Sequence, residues 1–314
     1  MLRNKKILIL GARGFVGKNL LSKINLLENS VTIISRENFS TKAKIIIGDL
    51  TVDDEKTYKF FTNFDVIFNC SGELTDEKKM NMLHIEFQKK VINFLSKDCL
   101  HKRKKTRWIQ VSSIGVFGIN DKNKDIIYEN TEKYPSNYYE KSKLESEKIL
   151  ISGVNEYFEY IILRPSTIYG KNMKSNFIQK LNHFIKKKYF FYIDSKETIF
   201  NLIHIDDVSS ALILCAKNDI KNETFNLSCN YKLEEIVHII CEYNKIKKPS
   251  LVIKENIIRF VVKFLTRFFN LSLNDRIINI LTSKKIFDST KIEKLIEFKP
   301  RIQLSDGIIE VLNK

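Results

Sequence analysis

The stretch KILILGARGFVG, residues 6–17, constrains this chain more than any other part of it. Five mainly apolar residues are too few for a buried helix and read as a strand. They run without a spacer into glycines at positions 11, 14 and 17. A helical pattern begins at residue 15. Glycines so placed let backbone turn sharply and come close to an anion, while the first amides of the following helix present partial positive charge to it. Gly11, Gly14 and Gly17, with Arg13, Phe15 and Val16 between them, are therefore the candidate pyrophosphate-binding segment of a dinucleotide site.

The first half of the chain continues that alternation. Apolar runs at 31–34, 44–47, 65–69, 108–112 and 160–163 read as strands, and residues 15–28, 78–100 and 138–150 carry helical patterns. Strands apolar on both faces and separated by helices predict a parallel sheet covered on both sides. After Pro165 the alternation becomes irregular, with no Gly/Ser- or Pro-rich linker. The expected fold is α/β: a Rossmann-type doubly wound parallel sheet over residues 1–164, rejoined by 199–228. A smaller mixed C-terminal substrate lobe takes 165–198 and 229–314.

Composition excludes several classes. The 53 Lys and Arg against 37 Asp and Glu give a net charge of +16, which invites a nucleic-acid reading. The excess lysine accompanies abundant Ile, Asn and Phe with few Pro and Gly, a codon-composition bias. The densest basic run, His101–Lys105, falls where a helix should end and cations suit its dipole. No aromatic-basic recognition module accompanies the charge, so no nucleic-acid partner is expected. Five scattered cysteines without a CxxC pair argue against zinc or disulfides and for reduced thiols in a cytoplasmic protein. No metal site is expected. The apolar run Ile7–Leu10 is too short for a secretory segment, and no stretch is long and apolar enough to span a membrane.

The second strand ends in Ser35–Arg36, with Glu37 one step later. An acidic residue there would hold the ribose hydroxyls of NAD, whereas Arg36, helped by Arg13, would bind the 2′-phosphate of NADP. NADP is expected ahead of NAD, with Glu37 as the route to the latter.

The ordered set GARGFVG (11–17), GDL (48–50), NCSG (69–72), VSSIGVFG (111–118), YEKSK (139–143), LRPSTIYG (163–170), LIHIDDV (202–208), TFNLS (224–228) and FKPRIQLSDGI (298–308) resembles the extended short-chain dehydrogenase/reductase family, in particular its nucleotide-sugar epimerase and dehydratase branch. The resemblance covers nearly the whole chain. It implies a catalytic serine or threonine, a tyrosine that moves a proton to or from a sugar oxygen, and a lysine that favours the phenolate and holds the nicotinamide ribose. Tyr139 and Lys143 stand four residues apart and share a helix face, while Tyr138 has only Ser142 at that spacing. The family frame selects the same pair, and Ser113 over Ser112, with Ser113 also touching substrate. It further implies cofactor contacts from Asp49, Leu50, Cys70, Ser71, Gly72 and Pro165, Cys70 as a packing residue, and a substrate contact from Asn176. Phe117 departs from the family's frequent tyrosine. His84, Phe87 and Gln88 depart from its NxxGT pattern, and a lone histidine there reads as a packed residue.

Dehydratases of this family carry an acidic pair directly after the catalytic serine or threonine, where this chain has Ile114 and Gly115. The resemblance therefore leaves a 4-epimerase or a 4-ketosugar reductase acting on a nucleotide-linked hexose for surface polysaccharides. One alternative is the same chemistry on a polyprenyl-diphosphate-linked N-acetylhexosamine. Another is a non-catalytic NADP-binding sensor or assembly factor, which the presence of Ser113, Tyr139 and Lys143 disfavours. Residues 257–271 place Arg259, Lys263 and Arg267 at four-residue spacing beside a wide apolar face. That stripe reads as the solvent face of a packed helix, or as an interfacial helix peripheral on the inner face of the plasma membrane. A homodimer is left open.

Overall fold

In every long strand of the first half, alternate residues bury on opposite faces of one sheet. The computed structural model describes residues 2–52, 58–118, 126–173, 177–260, 278–279 and 281–313. Its strands are β1 (Lys6–Leu10), β2 (Ser30–Ser35), β3 (Lys44–Ile47), β4 (Val66–Asn69), β5 (Thr106–Val111), β6 (Ile126–Ile127), β7 (Phe158–Pro165), β8 (Thr167–Tyr169), β9 (Tyr192–Ile193), β10 (Ile199–His204), β11 (Glu223–Leu227), β12 (Cys229–Lys232), β13 (Val252–Ile253) and β14 (Ile286–Phe287). The helices are α1 (Phe15–Lys23), α2 (Phe87–Lys102), α3 (Tyr138–Ser152), α4 (Phe177–Lys186), α5 (Ile205–Lys217), α6 (Leu233–Asn244), α7 (Thr290–Ile296) and α8 (Leu304–Leu312).

Seven strands form one parallel sheet in the order β11-β7-β5-β4-β1-β2-β3. Ile7, Ile9, Val31, Ile33, Phe68, Ile109 and Ile161 pack on one face with Leu20 of α1 and Val208 and Leu212 of α5. Leu8, Leu10, Ile67, Trp108 and Ile162 pack on the other with Phe87, Val91 and Leu95 of α2 and Leu150 of α3. Burying each such side chain contributes about 1.5–3 kcal/mol, so both faces must stay covered. The strand order reverses between β1 and β4, and a crevice opens there beyond the carboxyl ends of the strands.

Local chemistry sets the helix ends. The helical pattern expected to reach residue 28 stops at Lys23, where the chain turns extended at Ile24. Asparagine side chains compete with the helix beyond that point: Asn25 accepts from the Leu27 amide at 3.0 Å, and Asn29 donates to the Leu2 carbonyl at 2.8 Å. Helix α2 is entered through a helical turn, Glu77–Met80, and a π-helical turn, Asn81–Glu86. It ends at Arg103, in the left-handed region at φ 50°, with His101 and Lys102 in its last turn. The basic run thus sits against the helix's free carbonyls.

The C-terminal lobe has its own core. Strand β10 lies between β12, antiparallel, and β8, parallel, and α4, α6 and α8 bury Ile178, Leu181, Ile236, Ile240 and Ile308 beside it. Helix α5, just after β10, packs on the large sheet, and β11 closes that sheet's edge. Asp207 of α5 accepts the amides of Arg301 and Ile302 at 2.9 and 3.3 Å, so the motifs at 202–208 and 298–308 meet in space. Asn176 and most of the 257–271 stripe, including Lys263 and Arg267, lie outside the described residues. Arg259 is described, and it pairs with Glu255 and with Asn279 Oδ1 at 2.6 Å.

Candidate active site

The crevice at the switch point is a cavity of about 470 Å³ walled by the glycine loop, the ends of β2 and β3, and the segment after β4. Gly11 holds φ +73°, and a Cβ there would lie 2.7 Å from the carbonyl oxygen of Cys70. A Cβ on Gly17 would lie 2.2 Å from the Gly11 carbonyl oxygen. Only glycine lets the loop, the β4 segment and α1 approach this closely. Gly14 caps α1 with no side chain on the helix's first amides, and the first turn holds no acidic residue. This free, positive helix end suits a pyrophosphate, so the cradle fits a dinucleotide. Phe15 and Val16 lie in the first turn of α1 outside the cavity wall, and Val16 packs against the core.

Arg13, Arg36, Asp49, Leu50, Cys70, Ser71 and Gly72 line the cavity. Pro165 is buried at the end of β7, away from that wall. Glu37, Thr51, Glu73 and Lys79 also line it. Arg13 Nη1 binds Glu37 Oε2 at 2.8 Å, so the two residues set against each other in the sequence are partners in space. Burial raises the Asp49 carboxyl, but the amide and hydroxyl of Thr51 outweigh it and hold the group below the usual carboxylate range. Burial pushes the Cys70 thiol up to about 12, against the pull of Lys143, which suits packing and not nucleophilic attack.

Ser113, Tyr139 and Lys143 come together beside this cavity. Ser113 follows β5 and caps a short 3-10 turn, accepting the Gly115 amide at 3.0 Å. Asn137 and Glu140 form a capping box that starts α3, which fixes the frame of Tyr139 and Lys143. The Ser113 hydroxyl hydrogen-bonds the Tyr139 phenol. Lys143 is buried, donates to the Val111 carbonyl at 3.1 Å, and holds Nζ 6.0 Å from the Tyr139 ring centre. Burial pulls its pKa down to about 8, opposed by Cys70 and Glu147. Burial pushes the phenol up, the Ser113 bond opposes this, and Glu140 adds to the rise. Tyr139 therefore holds its proton at neutral pH.

A buried network supports these residues. Glu147 receives Arg164 through two bonds, at 2.8 and 2.6 Å, and Ser112 Oγ at 2.5 Å. Phe117, with no hydroxyl to satisfy, packs against Phe287 and lies 5.1 Å beneath the Arg164 guanidinium. Gln88 is buried and bonded to Ser146 and Asn69, while Phe87 packs on Phe61, so the departures from the family pattern are filled by self-consistent packing.

A second cavity of about 390 Å³ opens beside Gly115 and Glu140, the sequence neighbours of Ser113 and Tyr139. Phe177 and Phe200, stacked at 4.7 Å, form an apolar wall, and Asn201, Lys285 and Glu140 bring polar groups. The sequence motifs did not reveal this wall. Its residues come from distant segments, and the signal for Glu140 was its capping role. Gly72 of the first cavity lies beside Lys143 Nζ and Gly115 of the second beside Ser113 Oγ, so both cavities adjoin the Ser113–Tyr139–Lys143 group. Among the described residues no cluster could hold a metal ion, and no helix is long and apolar enough to cross a membrane.

Comparison with known proteins agrees with this architecture. N-acetyl-alpha-D-glucosaminyl-diphospho-ditrans,octacis-undecaprenol 4-epimerase of Escherichia coli O157:H7 is 24% identical over 252 residues, 79% of this chain and 69% of that protein. GDP-6-deoxy-D-talose 4-dehydrogenase of Aggregatibacter actinomycetemcomitans is 25% identical over 52% of this chain and 58% of that protein. The structure of UDP-glucuronic acid 4-epimerase from Bacillus cereus in complex with NAD matches with a TM-score of 0.73 at 17% identity, over 98% of this chain and 97% of that one. At that identity the likeness speaks for the fold. The profile of the NAD dependent epimerase/dehydratase family matches residues 7–228, from β1 through β11, and the chain belongs to that family.

Proposed function

We propose that this protein is an NAD(P)-dependent enzyme acting at the 4-position of a hexose carried on a diphosphate, either as a 4-epimerase or as a 4-ketosugar reductase. The carrying observation is the Ser113–Tyr139–Lys143 group between the two cavities, with Ile114 and Gly115 where a dehydratase needs acids. The bound dinucleotide supplies a hydride acceptor and donor. Ser113 and Tyr139 hold the reacting oxygen, and Tyr139 moves the proton. Lys143, positive below about pH 8, favours the phenolate left behind.

Two finer points are part of the proposal. The Arg13–Glu37 pair moves the cofactor reading from NADP toward NAD. A 2′-phosphate must draw Arg13 away from Glu37, whereas Glu37 can accept from a 2′-hydroxyl with the pair intact. A polyprenyl-diphosphate carrier is supported by the 24% identical Escherichia coli relative. The exposed Ile257 and Phe260 suit apolar contact with a bilayer surface there. Binding to NAD+ and NADP+ in parallel titrations tests the first point. Sedimentation with anionic vesicles tests the second, and a protein that stays in the supernatant at low salt rules it out.

The deciding experiment identifies any cofactor retained by the purified protein. It then follows nicotinamide absorbance with UDP-glucose, UDP-N-acetylglucosamine, polyprenyl-diphospho-N-acetylglucosamine and 4-keto sugars. A C4 epimer without net redox change establishes the epimerase, and stoichiometric NAD(P)H consumption establishes the reductase. Dinucleotide binding with no turnover of any of these refutes the proposal.

A further inference from the structure

The first turns of α3 carry two side-chain pairs at four-residue spacing. Tyr139 and Lys143 belong to the active site, while Tyr138 and Ser142 meet the π-helical turn Asn81–Glu86. Tyr138 donates its hydroxyl to Asn81 Oδ1 at 3.2 Å. Ser142 Oγ lies 2.9 Å from His84 Nδ1 and donates to the main-chain carbonyl of Tyr139 at 2.8 Å. On the other side of the ring, His84 Nε2 lies 3.1 Å from the amide nitrogen of Glu73. An amide can only donate, so Nε2 carries no proton and the neutral ring keeps its proton on Nδ1, which then donates to Ser142. Donor and acceptor roles are thus fixed along the path Glu73 amide, His84, Ser142, Tyr139 carbonyl.

That path joins the two halves of the site. Glu73 and Gly72 wall the dinucleotide cavity, and a Cβ on Gly72 would lie 3.8 Å from His84 Nε2 and 3.6 Å from Lys143 Nζ. The His84 ring is buried at 3% exposure and stands edge-on to the Tyr139 ring at 6.2 Å. A π-helical turn, uncommon in itself and frequent at functional sites, brings both Asn81 and His84 to α3. We propose that His84 is a positioning residue, its ring locking the catalytic helix to the floor of the dinucleotide cavity so that Tyr139 and the cofactor keep one register. This role rests on the reaction proposed above; the contacts behind it do not.

The charged groups facing the ring are Lys143 from α3 and Glu73 from the loop after β4. Burial and the Lys143 ammonium hold the His84 pKa down to about 3, against the pull of Glu73, so the ring stays neutral through the physiological range.

Nitrogen-15 NMR of the histidine side chains in the full-length protein should find His84 as the Nδ1–H tautomer, with no titration between about pH 5 and pH 8. His84→Phe keeps the ring's bulk and removes both bonds. His84→Gln can still accept from Glu73 and donate to Ser142. The Phe variant should bind NADH more weakly by fluorescence and lose about 10–100-fold in kcat with a smaller change in KM. The Gln variant should recover most of both. Ser142→Ala should add little to the Phe variant, because the two act on one path. An Nε2–H tautomer, wild-type NADH binding and turnover in the Phe variant, or a Gln variant no better than Phe would each overturn the proposal. NADH binding is measured without any sugar. Weakened binding rescued by Gln, in a protein that turns over no sugar, therefore upholds the positioning role while the proposed reaction fails.

Discussion

Glu147→Gln changes little volume and removes one charge from a deeply buried ion pair one helical turn from Lys143. The side chains of Arg164 and Glu147 are 4% and 2% exposed, joined by two bonds, with Ser112 as a third partner. At the surface such a pair would contribute about 0–1 kcal/mol. Here the substitution strands a guanidinium away from water, for which about 3–5 kcal/mol is the expected loss. At about 2 °C per kcal/mol for a chain of this size, the melting temperature should fall by roughly 6–10 °C. Function should move with it. Glu147 lies one helical turn beyond Lys143 and supports its charge, so the lysine, already at about 8, should lose its proton at lower pH. The alkaline limb of the pH–rate profile should shift toward acid. Scanning calorimetry and the rate profile measure the two effects. Replacing both partners by methionine should restore most of the stability, because no orphaned charge remains. A melting temperature within about 2 °C of wild type, with an unmoved alkaline limb, would refute the reasoning.

Other outcomes follow from the same geometry. Tyr139→Phe should keep the fold and dinucleotide binding while lowering turnover by about 10²–10⁴-fold, measured as product formed per enzyme. Lys143 has a folded pKa of about 8, below its ordinary 10.5. Activity should fall as pH rises through about 8, while stability rises between about pH 8 and pH 10.5, because there the unfolded chain holds the proton that the folded one has lost. The His84 pKa is depressed from 6.5 to about 3, so its contribution to stability is full above about pH 6.5 and is lost progressively toward pH 3. Denaturant titrations across that range should show a shallower decline for His84→Gln. Gly17→Ala puts a Cβ 2.2 Å from a backbone oxygen, and calorimetric titration should find NAD binding lost or much weakened. All five thiols are raised by burial, two of them to about 12, so iodoacetamide at neutral pH should label them only after unfolding, as read by mass spectrometry.

The sequence by itself determined what local pattern can carry. The two-faced strands, the glycine turn and the Tyr139–Lys143 frame follow from spacing along one element, where backbone geometry ties sequence distance to spatial distance. Ser113 was selected over Ser112 only through the family resemblance of the VFG motif that follows it. Tertiary structure alone decided the rest. Arg13 and Glu37 became partners because the glycine loop and the end of β2 meet at one rim. Phe177, Asn201 and Lys285 share a wall although more than 100 residues separate the first from the last. Tyr138, Ser142 and His84 gained roles only when the π-helical turn was laid against α3. The proton affinities of Tyr139 and Lys143 were set the same way, because desolvation depends on what surrounds a group in space, and a neighbour in sequence says little about that.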